Sequence, residues 1–122
     1  MLAKNVMRKP LIGLSPDTTL RKAADLFAKR GISGAPVMTA EGRLLGMLSR
    51  TDLIGKELDS GLTVKQAMTP WVVTLEEDSS VRDAARQMLS KRIHRIVLTR
   101  DGEPTGIVTT LDMLRALLRG GG

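Results

Sequence analysis

The chain has 122 residues, 42% of them hydrophobic and 26% charged, with 19 Lys and Arg against 13 Asp and Glu for a net charge of +6; it holds one His, one Trp and one Phe and neither Cys nor Tyr. Such a length fits one compact fold and excludes a second large domain. Without Cys there is no disulfide framework, no thiolate nucleophile and no Cys-ligated zinc or iron–sulfur centre, and a single His excludes a multi-histidine metal cage. No stretch reaches the roughly 18 consecutive apolar residues of a membrane span, and residues 1–10 lack the apolar core of a signal peptide, so the expectation is a soluble, cytoplasmic protein without a membrane partner.

In chain order, Leu11 to Leu14 reads as a short apolar strand, and Ser15, Pro16 and Asp17 as a turn able to cap a helix. Leu20, Ala23, Ala24 and Phe27 then recur at helical spacing and Gly31 supplies a stop, which predicts an amphipathic helix. Ala35 to Thr39 and Leu44 to Ser49 read as strands joined by a hairpin over residues 40–43. A helix is expected over about Thr51 to Leu58, with Asp59, Ser60 and Gly61 as a linker. The second half runs through a strand over Val72 to Leu75, a helix from about Ser80 to Lys91, strands around Arg95 to Thr99 and Thr105 to Thr109 with a turn at Asp101 and Gly102, and a last helix to about Arg119. Gly120, Gly121 and Gly122 carry no side chain to anchor them and are expected to form a flexible tail.

The second half repeats the first. A shift of 61 places Met7 on Met68, Leu14 on Leu75, Asp17 on Asp78, Arg21 on Arg82 and Ile32 on Ile93. After one residue is lost near the hairpin, a shift of 60 places Gly42 on Gly102, Gly46 on Gly106, Ser49 on Thr109 and Asp52 on Asp112. The matches include Gly at turns and Asp at helix starts, where backbone geometry restricts the choice. The expected fold is α/β of the α+β kind, two pseudo-symmetric repeats (1–60 and 61–119, with 120–122 as tail), each strand-helix-strand-strand-helix. Neither copy can cover its own apolar helix face, so the two should pack as one module, and leftover apolar helix surface would favour a homodimer.

The net positive charge suits an anionic partner, yet the basic residues are spread from Lys4 to Arg119 and the chain has few aromatics for stacking bases, which argues against nucleic acid. The candidate chemistry lies in Ser49-Arg50-Thr51-Asp52 and Thr109-Thr110-Leu111-Asp112. Each sets a hydroxyl and a carboxylate three apart where a strand hands over to a helix, beside the free N–H groups of the first turn. Such a terminus suits a phosphate, and a carboxylate accepts two hydrogen bonds from the vicinal hydroxyls of a ribose. The same pattern is also an ordinary helix-capping signature. Met7, Met47, Met68 and Met88 read as core fillers.

These residues resemble the CBS domain family, named for cystathionine β-synthase, and the chain resembles one tandem CBS pair, or Bateman module, over about Val6 to Leu117. The resemblance is carried by Val6-Met7, Gly31-Ile32-Ser33-Gly34-Ala35-Pro36-Val37, Gly42, Gly46 and Ser49-x-x-Asp52 in the first copy. In the second it is carried by Ala67-Met68-Thr69-Pro70, Ile93-His94-Arg95-Ile96-Val97, Gly102, Gly106 and Thr109-x-x-Asp112. It implies two clefts that each draw on both repeats and bind AMP, ADP, ATP or another adenosyl ligand. One cleft would combine Ser49 and Asp52 with Val72 and Val73 flanking the base and His94 and Arg95 facing phosphates; since neighbouring strand residues face oppositely, at most one of the two valines should face the base. The other would combine Thr109 and Asp112 with Leu11, Ile12, Thr18, Ser33 and Gly34. Because Ser33-Gly34 stands where His94-Arg95 stands in its twin, the second cleft is expected to lack that cation and to hold phosphorylated ligands less tightly.

The resulting expectation is a regulatory module, not an enzyme, that senses an adenine nucleotide and needs neither metal nor catalytic cofactor. With one His and no evident carboxylate pair, the chain offers little for acid–base or nucleophilic catalysis. The alternatives are a structural or protein-interaction module without nucleotide, a binder of S-adenosylmethionine, or a nucleic-acid binder.

Overall fold

The computed structural model describes residues 1–120, so the expectation of a flexible tail at Gly121 and Gly122 lies outside the described residues. Two compact units are present: one is Ile12–Val72, the other joins Met1–Leu11 to the chain from Val73 onward. The short arm that opens the sequence is therefore built into the unit made by the second half.

In the unit Ile12–Val72, helix α1 spans Leu20–Arg30 and is followed by antiparallel strands β1 (Gly34–Met38) and β2 (Leu44–Ser49). The cap of α1 is Thr19, whose hydroxyl accepts from the Lys22 amide at 3.2 Å, rather than the Ser15-Pro16-Asp17 turn expected from sequence. The expected strand over Leu11 to Leu14 contracts to a single parallel bridge between Leu14 and Val37. The expected helix over Thr51 to Leu58 is only a 3-10 turn, Arg50–Leu53. Ile54 is already extended and Gly55 sits at φ +78°, a left-handed conformation that ends the helix. A short helix, α2 (Val64–Ala67), was not anticipated. The core gathers Leu14, Leu20, Ala23, Phe27, Ala35, Val37, Leu48 and Val64, so the buried positions of α1 fall at i, i+3 and i+7.

The other unit opens with a 3-10 turn at Ala3–Asn5 and contains β3 (Thr74–Glu76), α3 (Val81–Lys91), β4 (Arg95–Arg100), β5 (Glu103–Thr109) and α4 (Thr110–Leu118). The sheet order is β3-β4-β5, parallel then antiparallel. Asp101 and Gly102, both with positive φ (52° and 83°), make the hairpin turn. Ala3 and Val6 from the arm join Ala84, Met88, Ile96, Leu98, Val108 and Ala116 in the core. Met7 packs on this core and Met68 on the other, as fillers should.

An equivalent bridge extends each sheet. Arg8 and Ile107 exchange backbone hydrogen bonds at 2.8 and 3.2 Å, and Thr69 and Met47 do so at 2.9 Å in both directions. Both bridges pass beside a buried glycine, Gly106 or Gly46.

Candidate functional site

The end of β2 carries Ser49, and the 3-10 turn after it carries Asp52. The Asp52 carboxylate folds back so that Oδ2 accepts from the Ser49 amide at 2.8 Å and from Ser49 Oγ at 3.1 Å, while Ser49 Oγ lies 2.8 Å from Thr51 Oγ1. Oδ1 of Asp52 has no hydrogen-bond partner among the described residues, and the side chain is half-buried. Ser33 and Gly34 adjoin this turn, for Gly34 pairs with Ser49 across the ladder and the Ser33 carbonyl accepts from the Arg50 amide at 2.9 Å.

At the end of β5 the same design is tighter. Asp112 Oδ2 accepts from the Thr109 amide at 2.9 Å and Thr109 Oγ1 accepts from the Asp112 amide at 3.1 Å, a reciprocal capping box at the start of α4. Arg95 pairs with Thr109 across the ladder, and the His94 carbonyl accepts from the Thr110 amide at 3.0 Å. Asp112 is buried at 6% exposure and its Oδ1 accepts from Arg8 Nε at 2.8 Å, with Arg115 Nη1 a further 3.8 Å away. A cation thus stands at Asp112, supplied from a position other than the His94-Arg95 pair. Sequence reading missed Arg8, although the shift of 61 lays it on Thr69 and marks it as a departure between the copies.

The remaining expected residues are divided between the two units. Val73 packs against a core and its carbonyl accepts from Val97 at 3.1 Å, while Val72 is half-buried at the end of the other unit. Leu11 and Ile12 are half-buried at the opposite changeover point, and the Thr18 carbonyl accepts from the Val64 amide at 2.7 Å. His94 is exposed and borders an apolar groove of about 970 Å³ formed by α3 and α4. Among the described residues no group of three or more His, Cys, Asp or Glu could hold a metal, and no helix is long and apolar enough to cross a membrane.

The chain thus consists of two repeated α+β units, each presenting a hydroxyl and a carboxylate at a strand-to-helix turn. The CBS domain model matches residues 3–59 and again 64–119, and the chain belongs to the CBS domain family as a tandem pair. It is 28% identical over 155 residues to the uncharacterized protein MJ1426 of Methanocaldococcus jannaschii, covering 97% of this chain and 92% of that protein. It is 33% identical over 114 residues to the inosine-5'-monophosphate dehydrogenase of the same organism, covering 93% of this chain but only 23% of the enzyme. Among solved structures, the CBS domain pair of protein MJ0100 in complex with 5'-methylthioadenosine and S-adenosyl-L-methionine superposes with a TM-score of 0.89 at 28% identity, covering 100% of this chain and 98% of that one. CBSX2 in complex with AMP gives 0.85 at 26% identity, covering 99% and 98%.

Proposed function

We propose that this CBS pair is a non-catalytic regulatory module that binds an adenine nucleotide or a related adenosyl ligand, with ribose hydroxyls donating to Asp52 and Asp112. The observation that carries the reading is the state of Asp52: one carboxylate oxygen is fixed by the strand end, and the other is left with its lone pairs unmatched among the described residues. A carboxylate so oriented is a ready acceptor for a hydroxyl pair. The ligands carried by the MJ0100 and CBSX2 structures support the adenosyl class. Ser49, Asp52, Val72, Val73, His94 and Arg95 are the proposed contacts of one ligand, and Thr109, Asp112, Leu11, Ile12, Thr18, Ser33 and Gly34 those of the other. A cytoplasmic location goes with this proposal, since adenine nucleotides are intracellular metabolites.

The test is a thermal-shift and calorimetric screen with AMP, ADP, ATP and S-adenosylmethionine. Ligand at a hundred times its dissociation constant should stabilise by about 2.7 kcal/mol. The completed capping box at Thr109 and Asp112 favours a second reading, in which these turns only terminate helices and the module acts through a protein partner. No shift with any adenosyl ligand would select that reading.

We further propose a homodimer through α3 and α4. Leu89, Leu114 and Leu117 line the groove between these helices yet are 80%, 52% and 60% exposed, an apolar concentration that a second copy of the same surface would cover.

A further inference from the structure

The two copies differ most sharply in the charge set against their acids. In one, Asp52 makes no ion pair among the described residues, and Thr69 occupies the extra bridge beside β2. In the other, the equivalent bridge beside β5 is made by Arg8, whose Nε donates to Asp112 at 2.8 Å, and Arg115 approaches the same oxygen at 3.8 Å. One acid with two guanidinium groups leaves a local positive charge at Asp112.

The Arg8 side chain is 45% exposed although its partner is buried. A guanidinium carries five N–H donors, and only Nε is used among the described residues, so both terminal amino groups of Arg8 keep their hydrogens for an outside acceptor. Asp112 Oδ1 takes a single hydrogen bond and retains a lone pair for a hydroxyl. Held by its own backbone bridge to Ile107 and by Asp112, the arginine is preorganised rather than floppy.

We propose that Arg8 is the specificity-determining residue of the Asp112 site, selecting ligands that carry a phosphate over neutral or cationic adenosyl compounds. This rests on the reading that Asp112 receives a ribose. It gives the Asp112 site a cation from the arm before the first repeat's helix, a source other than the His94-Arg95 pair.

The test uses the full chain in an Asp52→Ala background, so that calorimetry reports the Asp112 site, with AMP and 5'-methylthioadenosine as probes. Arg8→Ala should weaken AMP about tenfold to a hundredfold and leave 5'-methylthioadenosine within about threefold, and Arg8→Lys should retain part of the AMP preference. Equal losses for both probes would reduce Arg8 to a structural role, and no loss of AMP affinity would refute its selection of phosphate; either overturns the inference. Binding in the parent chain that vanishes for both probes in the Asp52→Ala background would overturn it while sparing the proposed function. Absence of binding to the parent chain would remove both.

Discussion

A β-carbon on Gly106 would stand 2.9 Å from the carbonyl oxygen of Arg8 and 2.6 Å from the sulfur of Met7. The arm that carries Arg8 can lie against β5 only because residue 106 has no side chain. Gly46 stands in the same relation to Thr69 and Met68, where an added β-carbon would collide with the Thr69 carbonyl oxygen. Gly106→Ala should therefore lift the arm, at a cost of about 1–3 kcal/mol in urea unfolding, with faster amide exchange at Arg8 and Ile107. Unchanged stability and protection would mean the arm is not held by this contact.

Arg92 ends α3 in a left-handed conformation, φ 53°, where α1 uses Gly31 at φ 63°. A residue with a β-carbon pays a steric penalty there of about 1 kcal/mol. Arg92→Gly should raise the denaturation midpoint accordingly, and a lower midpoint would show that the Arg92 side chain contributes more than its backbone strain removes.

Asp52→Ala tests the ribose assignment. Removing a charged acceptor should weaken adenosyl ligand at that site by about 1.5–3 kcal/mol, roughly tenfold to over a hundredfold, with the fold intact by circular dichroism. Undiminished binding by calorimetry would take Asp52 out of the site.

For the proposed dimer, Leu89→Glu combined with Leu114→Glu places like charges on both copies of the groove. Sedimentation should then show a monomer where the parent chain sediments as a dimer, and a parent chain that is already monomeric would refute the interface.

Asp59 and Asp78 are both held below the usual carboxylate range, Asp59 chiefly by the hydrogen bond from Arg21 (Nε to Oδ1 at 2.8 Å) and Asp78 by that from Lys4 at 2.8 Å. An acid whose native pKa is depressed adds stability above its unfolded pKa, and that stability is lost as pH falls through the lower native value. The acid limb of the stability profile should thus begin below about pH 4, and it should flatten in Asp59→Asn with Asp78→Asn. Both pairs are exposed, so the change is expected to be small. An acid limb identical in the double variant would exclude them as its source.

Helices α1 and α3, the two hairpins and the Ser/Thr-x-x-Asp turns were legible because each is encoded locally, by apolar residues at helical spacing, by alternation between turn residues, and by caps three residues from their partners. The repeat was legible because turn glycines and capping acids recur under geometric constraint, and the resemblance to the CBS domain family rested on those positions. What local pattern could not convey was which segment completes which sheet. The first strand shrank to one bridge at Leu14, the helix expected after Asp52 stopped at Gly55, and the opening arm joined the unit of the second half. The bridge at Leu14 and the place of the arm depend on pairings across tens of residues, whereas the stop at Gly55 is a local change of backbone conformation. Asp112 illustrates the division: its place at a helix start was written in the four residues from Thr109, whereas its ion pair with Arg8, 104 positions away, exists only because backbone packing beside Gly106 brings the two together.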